Sequence, residues 1–295
     1  MARSQLGNPR AMFEHPLCVI AIPAYNEEQF ILEALKSVQS QTVADFKAVI
    51  SDNASTDGTY DICKEFCAGD DRFVCVRQPK NIGSSANFQW LLDNTGSKYF
   101  VMLGAHDMLH PQFVEKHLNV MEADQTLALL YASTRCVDER SEFIENRPGG
   151  KSHRLTDTPA QRYRETFWRP GKGEAINSFF RRDALKGSYT WPVSSPDKIV
   201  LCHAAYWGPF KKIDEILYIR RVLLSRTNNA EAKMRRITGK TKLRRSRMEP
   251  ILIFRKEFAS LERSRLERFF LDVMLCTRLA RQYKTDLIRW LTGRY

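Results

Sequence analysis

Apolar and polar positions alternate in blocks along the first half of the chain. Short runs of apolar and β-branched residues, such as LCVIAI from Leu17 and FKAVIS from Phe46, give way to longer stretches in which apolar residues return every three or four positions. This pattern predicts strands near 17–22, 46–51, 73–77, 99–103 and 127–131, with helices near 27–40, 57–67, 84–94 and 111–123 between them. Strand and helix alternating through short connections is what a mostly parallel sheet with helices on both faces requires, so the fold class is α/β and Rossmann-like. Asn26 offers a cap for the first helix, and Pro111 suits the first turn of the fourth. From about 135 to 170 the chain is polar, rich in Arg, Gly and Pro, and without a period, which predicts a long loop, either functional or disordered. Helices near 174–186 and 196–207 and a strand near 213–221 complete the domain.

Ligands of open α/β sheets sit outside the carboxyl ends of the strands. Two strands here run straight from apolar into polar residues. Tyr25, Asn26 and Glu27 leave the first, and Asp52, Asn53 and Ser55 leave the second. Together they offer carboxylates, amides and a hydroxyl able to read a nucleoside. Neither turn is a Gly-rich phosphate loop.

Four segments in order, LCVIAIPAYNEE (17–28), FKAVISDNASTDGT (46–59), PKNIGSSANFQWLL (79–92) and YFVMLGAHDMLHP (99–111), resemble the family 2 glycosyltransferases, whose nucleotide-sugar-binding fold is called GT-A. In that family the first strand typically ends in a Pro-x-Tyr-Asn-Glu-type turn, matched by Pro23 to Glu27. The second typically ends in Asp-(Asp/Asn)-x-Ser-x-Asp-(Gly/Ser)-(Ser/Thr), matched by Asp52 to Thr59. INSFFRRDAL (176–185) and SSPDKIVL (194–201) extend the resemblance more faintly, to roughly 15–225.

The resemblance implies a GT-A domain over 1–225, with a nucleotide-binding half at about 15–131 and an acceptor half at about 132–225. It implies inverting transfer from a nucleoside-diphosphate sugar, UDP-linked, to a saccharide or lipid-linked acceptor, in building a cell-surface polysaccharide or glycolipid. For the donor it implies Pro23, Ala24 and Tyr25 beside the base and Asp52, next to Asn53, on a base or ribose edge. Glu27 stands with them, or simply starts a helix. Asp57 and Gly58 make the turn, while Asn81 and Gly83, with Lys80 and Asn87, lie where the phosphates or sugar pass. Arg181 and Arg182 face the acceptor or pair with a carboxylate such as Asp183.

Glycosyl transfer sets two further needs. The departing diphosphate gathers negative charge and calls for a cation, and the incoming hydroxyl calls for a base. Family members usually hold Mg²⁺ or Mn²⁺ with an Asp-x-Asp at the end of the fourth strand. Here the stretch reads GAHD, with Gly104 and His106 in the acidic places and Asp107 remaining. One carboxylate plus donor phosphates and water still serves a hard divalent ion, so the resemblance implies Mn²⁺ or Mg²⁺ on Asp107. His106 is then a second ligand that favours Mn²⁺, or a loop residue that only hydrogen-bonds. For the base, the family often places an acid at the start of a helix past mid-chain. Asp197, behind Ser195 and Pro196, fits that place, and an Asp that merely steadies a helix start is the alternative. The eroded GAHD also keeps open a non-catalytic member that binds a nucleotide or glycan.

Composition changes the picture in one region. A chain of 295 residues is one large domain, or a domain with an appendage. Seven cysteines without a close Cys-x-x-Cys pair argue against a disulfide framework and for a reducing compartment. The first residues lack a signal-peptide core and no apolar run has membrane-spanning length, so a cytoplasmic protein is expected. Residues 226–295 carry 19 Lys and Arg against 7 Asp and Glu, and residues 1–225 carry 27 of each, so the whole net charge of +12 lies beyond Ser225. The basic run 232–247 has no helix-turn-helix, zinc-finger or aromatic RNA-binding signature beside it, which argues against nucleic acid. In 269–295, Cys276, Leu279, Tyr283, Leu287 and Trp290 share one helical face, and Arg278, Arg281 and Lys284 share another. Such a helix lies on anionic lipid at the inner face of the membrane, or packs its apolar stripe on the domain; both readings stand.

Overall fold

The computed structural model describes residues 16–144, 158–168, 174–188 and 196–223, and single positions at 256, 261, 273, 276 and 277. The chain separates into two compact units, Met1–Leu243 and Arg244–Tyr295. The basic run 232–247 lies outside the described residues, as does nearly all of the helix expected at 269–295.

The first unit contains, in chain order, β1 (Cys18–Ala24), α1 (Ile31–Gln39), β2 (Phe46–Asp52), α2 (Thr59–Ala68), β3 (Phe73–Arg77), α3 (Ser84–Asn94), β4 (Tyr99–Met102), β5 (Met108–Leu109), α4 (Phe113–Ala123), β6 (Leu129–Val137), α5 (Pro159–Trp168), β7 (Phe179–Arg181), α6 (Pro196–Trp207) and β8 (Phe210–Arg221). The strands form one sheet in the order β3-β2-β1-β4-β7-β6-β8-β5. β1 to β4 pair in parallel, and β6 pairs in parallel with β8. β7 runs antiparallel between β4 and β6, and β5 runs antiparallel to β8. Two reversals through β7 restore direction, so β6 and β8 end at the same edge of the sheet as β1, β2 and β4.

The strands bury both faces, which explains their near-continuous apolar runs. Val19, Ala21 and Val49 point to one side, against Phe88 and Leu91 of α3 and Val200 and Ala204 of α6. Ile20, Ile22 and Ile50 point to the other, against Ile31, Leu35 and Val38 of α1, Cys63 of α2 and Phe113, Val114 and Met121 of α4. Pro23 is tolerated in this central strand because β4 stops pairing at Ala21. The two-residue period that turns the Ala21 carbonyl toward Leu103 turns the nitrogen of Pro23 the same way, past the end of β4.

Several expectations need correction. The helix expected at 174–186 is a short 3₁₀ turn, Glu174–Ile176, then β7, then a second 3₁₀ turn, Arg182–Leu185. Its apolar spacing suits a helix, but the gap between β4 and β6 needs a strand. The aperiodic stretch 135–170 contains the end of β6 and all of α5, whose Tyr163 and Phe167 are buried one helical turn apart. Asn26 does not cap α1, which starts at Ile31 behind Phe30; the carbonyl of Glu27 instead accepts from the Phe30 and Ile31 N–H groups, both at 2.9 Å. α4 likewise starts at Phe113, two residues past Pro111.

Candidate functional site

The register of β1 on β2 sets Ala24 opposite Asp52, so the two polar turns leave the sheet side by side. They are stitched together. The Asn26 N–H donates to Ser55 Oγ at 3.0 Å, and the Asn26 amide accepts from the Thr56 N–H at 2.9 Å. The Glu27 N–H donates to Thr59 Oγ1 at 2.7 Å, and Glu28 Oε2 accepts from the Gly58 N–H at 2.7 Å. Asn26 and Ala54 hold φ of 54° and 58°, a left-handed backbone that Asn tolerates and Ala does not favour. Strain held by this many bonds marks a turn built to one shape.

Asp52 is fully buried. Its carboxylate accepts from the Ser55 N–H at 3.2 Å and meets Arg77 Nε at 3.4 Å. Arg77 also donates to the Ser55 carbonyl at 2.8 Å and lies over the Tyr60 ring at 4.7 Å. The side chain therefore shapes the 52–56 turn from beneath, and Arg77 is a partner the sequence did not single out.

Asn53 is buried and bridges to the next strand exit. Its amide donates to Asn81 Oδ1 at 3.1 Å and accepts from the Ile82 N–H at 2.9 Å. Asn81, itself exposed, accepts from the Gly83 N–H at 2.8 Å. Gly83 has φ 85°, which places glycine at the entry to α3. Asn87 lies below, bonded to Ser51 at 2.6 and 2.8 Å, and supports the site rather than lining it. Lys80 is exposed. Pro23 and Tyr25 are half-buried at this edge.

The β4 exit brings His106 to the first turn. His106 Nδ1 lies 3.2 Å from Glu27 Oε1, pairing two predicted site residues from different strands. Asp107 turns inward and is 3% exposed. One of its oxygens accepts from the Tyr218 hydroxyl at 2.7 Å and the other from the Arg221 N–H at 2.8 Å. Burial pushes its pKa up, opposed by His106, the Tyr218 and Arg221 bonds and Arg220. A Cβ at Gly104 would stand 2.6 Å from Asp107 Oδ2, so the inward carboxylate and the glycine come as a pair.

The donor set can be tested against a divalent cation. Asp107 accepts one hydrogen bond on each oxygen, so it meets an ion only through the lone pairs that Tyr218 and Arg221 leave unused. Among the described residues no three His, Cys, Asp or Glu side chains gather as a metal cage. Glu27 and His106 supply one carboxylate and one imidazole, a set that fits an ion whose remaining ligands come from donor phosphates and water.

Asp197 is partly exposed in the first turn of α6. α6 ends at Trp207 and β8 begins at Phe210, opposite the first residue of β6. The helix thus returns from the strand-end edge, and its start carries Asp197 toward that edge. Arg181 and Arg182 do not line it. Arg181 donates to the carbonyls of Leu127 and Met121, both at 2.9 Å, and Arg182 to the Leu92 carbonyl and to Thr95 Oγ1 at 3.0 and 2.6 Å. An open pocket of about 550 Å³, lined by Asp93, Arg182 and Lys186 among others, sits at the opposite end of the sheet, where β4 starts and β7 ends.

Residues 19–187 match the sequence profile of Glycosyl transferase family 2, and the chain belongs to that family. It is 35% identical over 132 residues to a chondroitin synthase of Escherichia coli, which covers 44% of this chain and 19% of that protein. It is 31% identical over 132 residues to a hyaluronan synthase of Pasteurella multocida, covering 44% and 13%. The match thus spans less than a fifth of either relative. Among solved structures, S. aureus TarS 1–349 in complex with UDP-GlcNAc shares the fold at a TM-score of 0.64 and 15% identity, over 90% of this chain and 72% of that one. A mannosyltransferase of Pyrobaculum calidifontis in complex with GDP-Man and Mn²⁺ aligns at a TM-score of 0.53 and 14% identity, over 93% and 84%. The fold is the GT-A fold.

Proposed function

We propose that the chain is an inverting glycosyltransferase that moves a sugar from a UDP-linked donor to a hydroxyl of a saccharide or lipid-linked acceptor, in making a cell-surface polysaccharide or glycolipid. One observation carries the reading. The family match covers both polar strand exits, and the register of β1 on β2 lays them side by side at the edge where open sheets bind ligands. The relatives named chondroitin and hyaluronan synthase and the UDP-GlcNAc complex of TarS support the polysaccharide setting and the nucleotide.

In this reading Pro23, Ala24, Tyr25, Asp52 and Asn53 form the nucleoside edge, directly or through the turn they shape. Asn81 and Gly83 border the path of the phosphates. Asp107 and His106, with Glu27 beside His106, are where Mn²⁺ or Mg²⁺ would be held at the diphosphate; such an ion neutralises charge on the departing group. Asp197 takes the proton from the acceptor hydroxyl while its oxygen bonds to the anomeric carbon. The bond from that carbon to the phosphate oxygen breaks, and UDP leaves with the electron pair. The basic region 226–295 would bring the protein to anionic lipid on the cytoplasmic side, where a lipid-linked acceptor is found. Among the described residues no helix is long and apolar enough to cross a membrane.

Calorimetric titration with UDP, with Mn²⁺ and with EDTA, followed by release of UDP from a panel of UDP-sugars, tests the proposal. Binding together with turnover of at least one donor is expected. A chain that binds no nucleoside diphosphate overturns it. The inward Asp107 favours a second reading, a binding protein on the same fold; UDP binding with no hydrolysis or transfer from any donor selects it.

A further inference from the structure

We infer that Arg221, the last residue of β8, is a positioning residue for the Glu27–His106 pair. The inference rests on the donor-site reading above and concerns a residue that touches no ligand. Its side chain is 1% exposed, and its guanidinium reaches separate parts of the chain. Nη2 meets Glu33 Oε2 on α1 at 2.6 Å, Nε donates to the His106 carbonyl at 3.2 Å, and Nη1 donates to the Glu139 carbonyl at 3.2 Å. The guanidinium also lies over the Phe30 ring at 4.7 Å, and the Arg221 N–H holds Asp107.

These contacts bracket the pair from both ends. His106 is gripped at its own carbonyl and through the residue after it. Glu27 is gripped through Phe30, whose N–H bonds to the Glu27 carbonyl at 2.9 Å, and through Glu33 in the first turn of α1. With Arg221 in place, the β1 exit and the β4 exit stand at a fixed separation, and the 3.2 Å approach of Glu27 to His106 follows from it.

Stability alone does not account for an arginine here. Glu33 is half exposed, so solvent screens the pair until it contributes little, while the buried guanidinium gives up its hydration. What an apolar residue lacks is a planar fork of donors with fixed directions, able to hold a carboxylate and two carbonyls at once. A lysine has one nitrogen and cannot reach all three.

The test compares the full-length wild type with Arg221→Lys, Glu33→Gln and His106→Gln. Arg221→Lys is expected to lower kcat for donor hydrolysis or transfer by about 10- to 100-fold, as misplacement by about 1 Å does. Uridine affinity, set at the Asp52 exit, should stay within about threefold. Glu33 is half exposed, so Glu33→Gln carries little folding risk; it should lower kcat in the same direction, by about threefold to tenfold. In a His106→Gln background the Arg221→Lys effect should largely vanish, because the two act as a unit. A readout free of activity is the ¹⁵N shift of the His106 imidazole, which reports its bond to Glu27 and should move in Arg221→Lys and Glu33→Gln. Unchanged His106 shifts in both variants overturn the inference, as does an Arg221→Lys effect that adds in full to His106→Gln. A wild type that binds no UDP yet shows the shift change sinks the function and leaves the positioning role standing.

Discussion

The strand-end edge has two parts built on different length scales. At the β1 and β2 exits the bonds join residues 29 to 32 apart in sequence, turn against turn. At the β4 exit Asp107 is held by residues 111 and 114 positions away, and Arg221 reaches back 188 positions to Glu33. The first part closes as soon as two neighbouring βα units pair. The second needs β8, the last strand, in place, and closing it costs more chain entropy because its contacts span longer loops. Two aspartates that look alike in the sequence, each after an apolar strand, consequently do different work. Asp52 shapes a local turn, and Asp107 ties the sheet's late strand to the site.

The largest effect tests where chemistry sits relative to both parts. Asp197→Asn should leave UDP affinity near wild type and lower turnover by about a hundredfold to ten-thousandfold, the usual range for loss of a general base. Near-normal transfer at saturating donor would return Asp197 to a helix-start role, since Asn serves there as well.

Next is the tie itself. Asp107→Ala strands the buried Tyr218 hydroxyl and Arg221 N–H, and should reduce stability by about 2–4 kcal/mol in urea unfolding while uridine affinity holds. Equal unfolding midpoints for wild type and variant would break the contrast between the two exits.

The core beneath the sheet, away from both exits, should show an acid weakness. His117 on α4 lies between Phe113 and Phe179, fully buried, and burial lowers its pKa to about 4 against the bond to the Phe113 carbonyl, which raises it. Its folded pKa is depressed, so between pH 6.5 and 4 the unfolded chain takes up the proton and the folded one does not. Stability is then full above about pH 6.5 and falls by up to about 3 kcal/mol as pH drops toward 4. His117→Gln should flatten that part of the pH–stability curve, and an unchanged slope would remove His117 as its source.

The smallest effect is local. Asp52→Ala should weaken UDP binding about tenfold to a hundredfold, equivalent to about 1.5–3 kcal/mol, through loss of the shaped turn. Unaltered affinity would take the β2 exit out of the donor site.

The same division decides what the sequence revealed. β1 to β4 and α1 to α4 were legible because each carries its own apolar period over enough residues to show it. The stitched turns were legible as polar exits, though Asn26 reads as a helix cap until Ser55 and Thr56 are seen to claim it. β7 was not, because three residues show no alternation and FFRRDAL carries helical spacing. β5 is shorter still, and α5 hides Tyr163 and Phe167 among charges. Nothing local distinguishes Arg221 from Arg220 beside it. Only the strand register turns one inward, so the residue that ties the site together leaves no mark in the sequence.

Gly104 constrains how this protein can change under selection. An acidic side chain at 104 collides with an Asp107 carboxylate that cannot swing away while Tyr218 and Arg221 hold it. Changing Asp107 first removes the collision but leaves those two partners unanswered. Either change alone is expected to cost stability, so the glycine and the inward aspartate constrain each other. A mutational library at position 104 alone is therefore expected to return glycine, and a search for a variant with an acidic residue there has to vary 104 and 107 together.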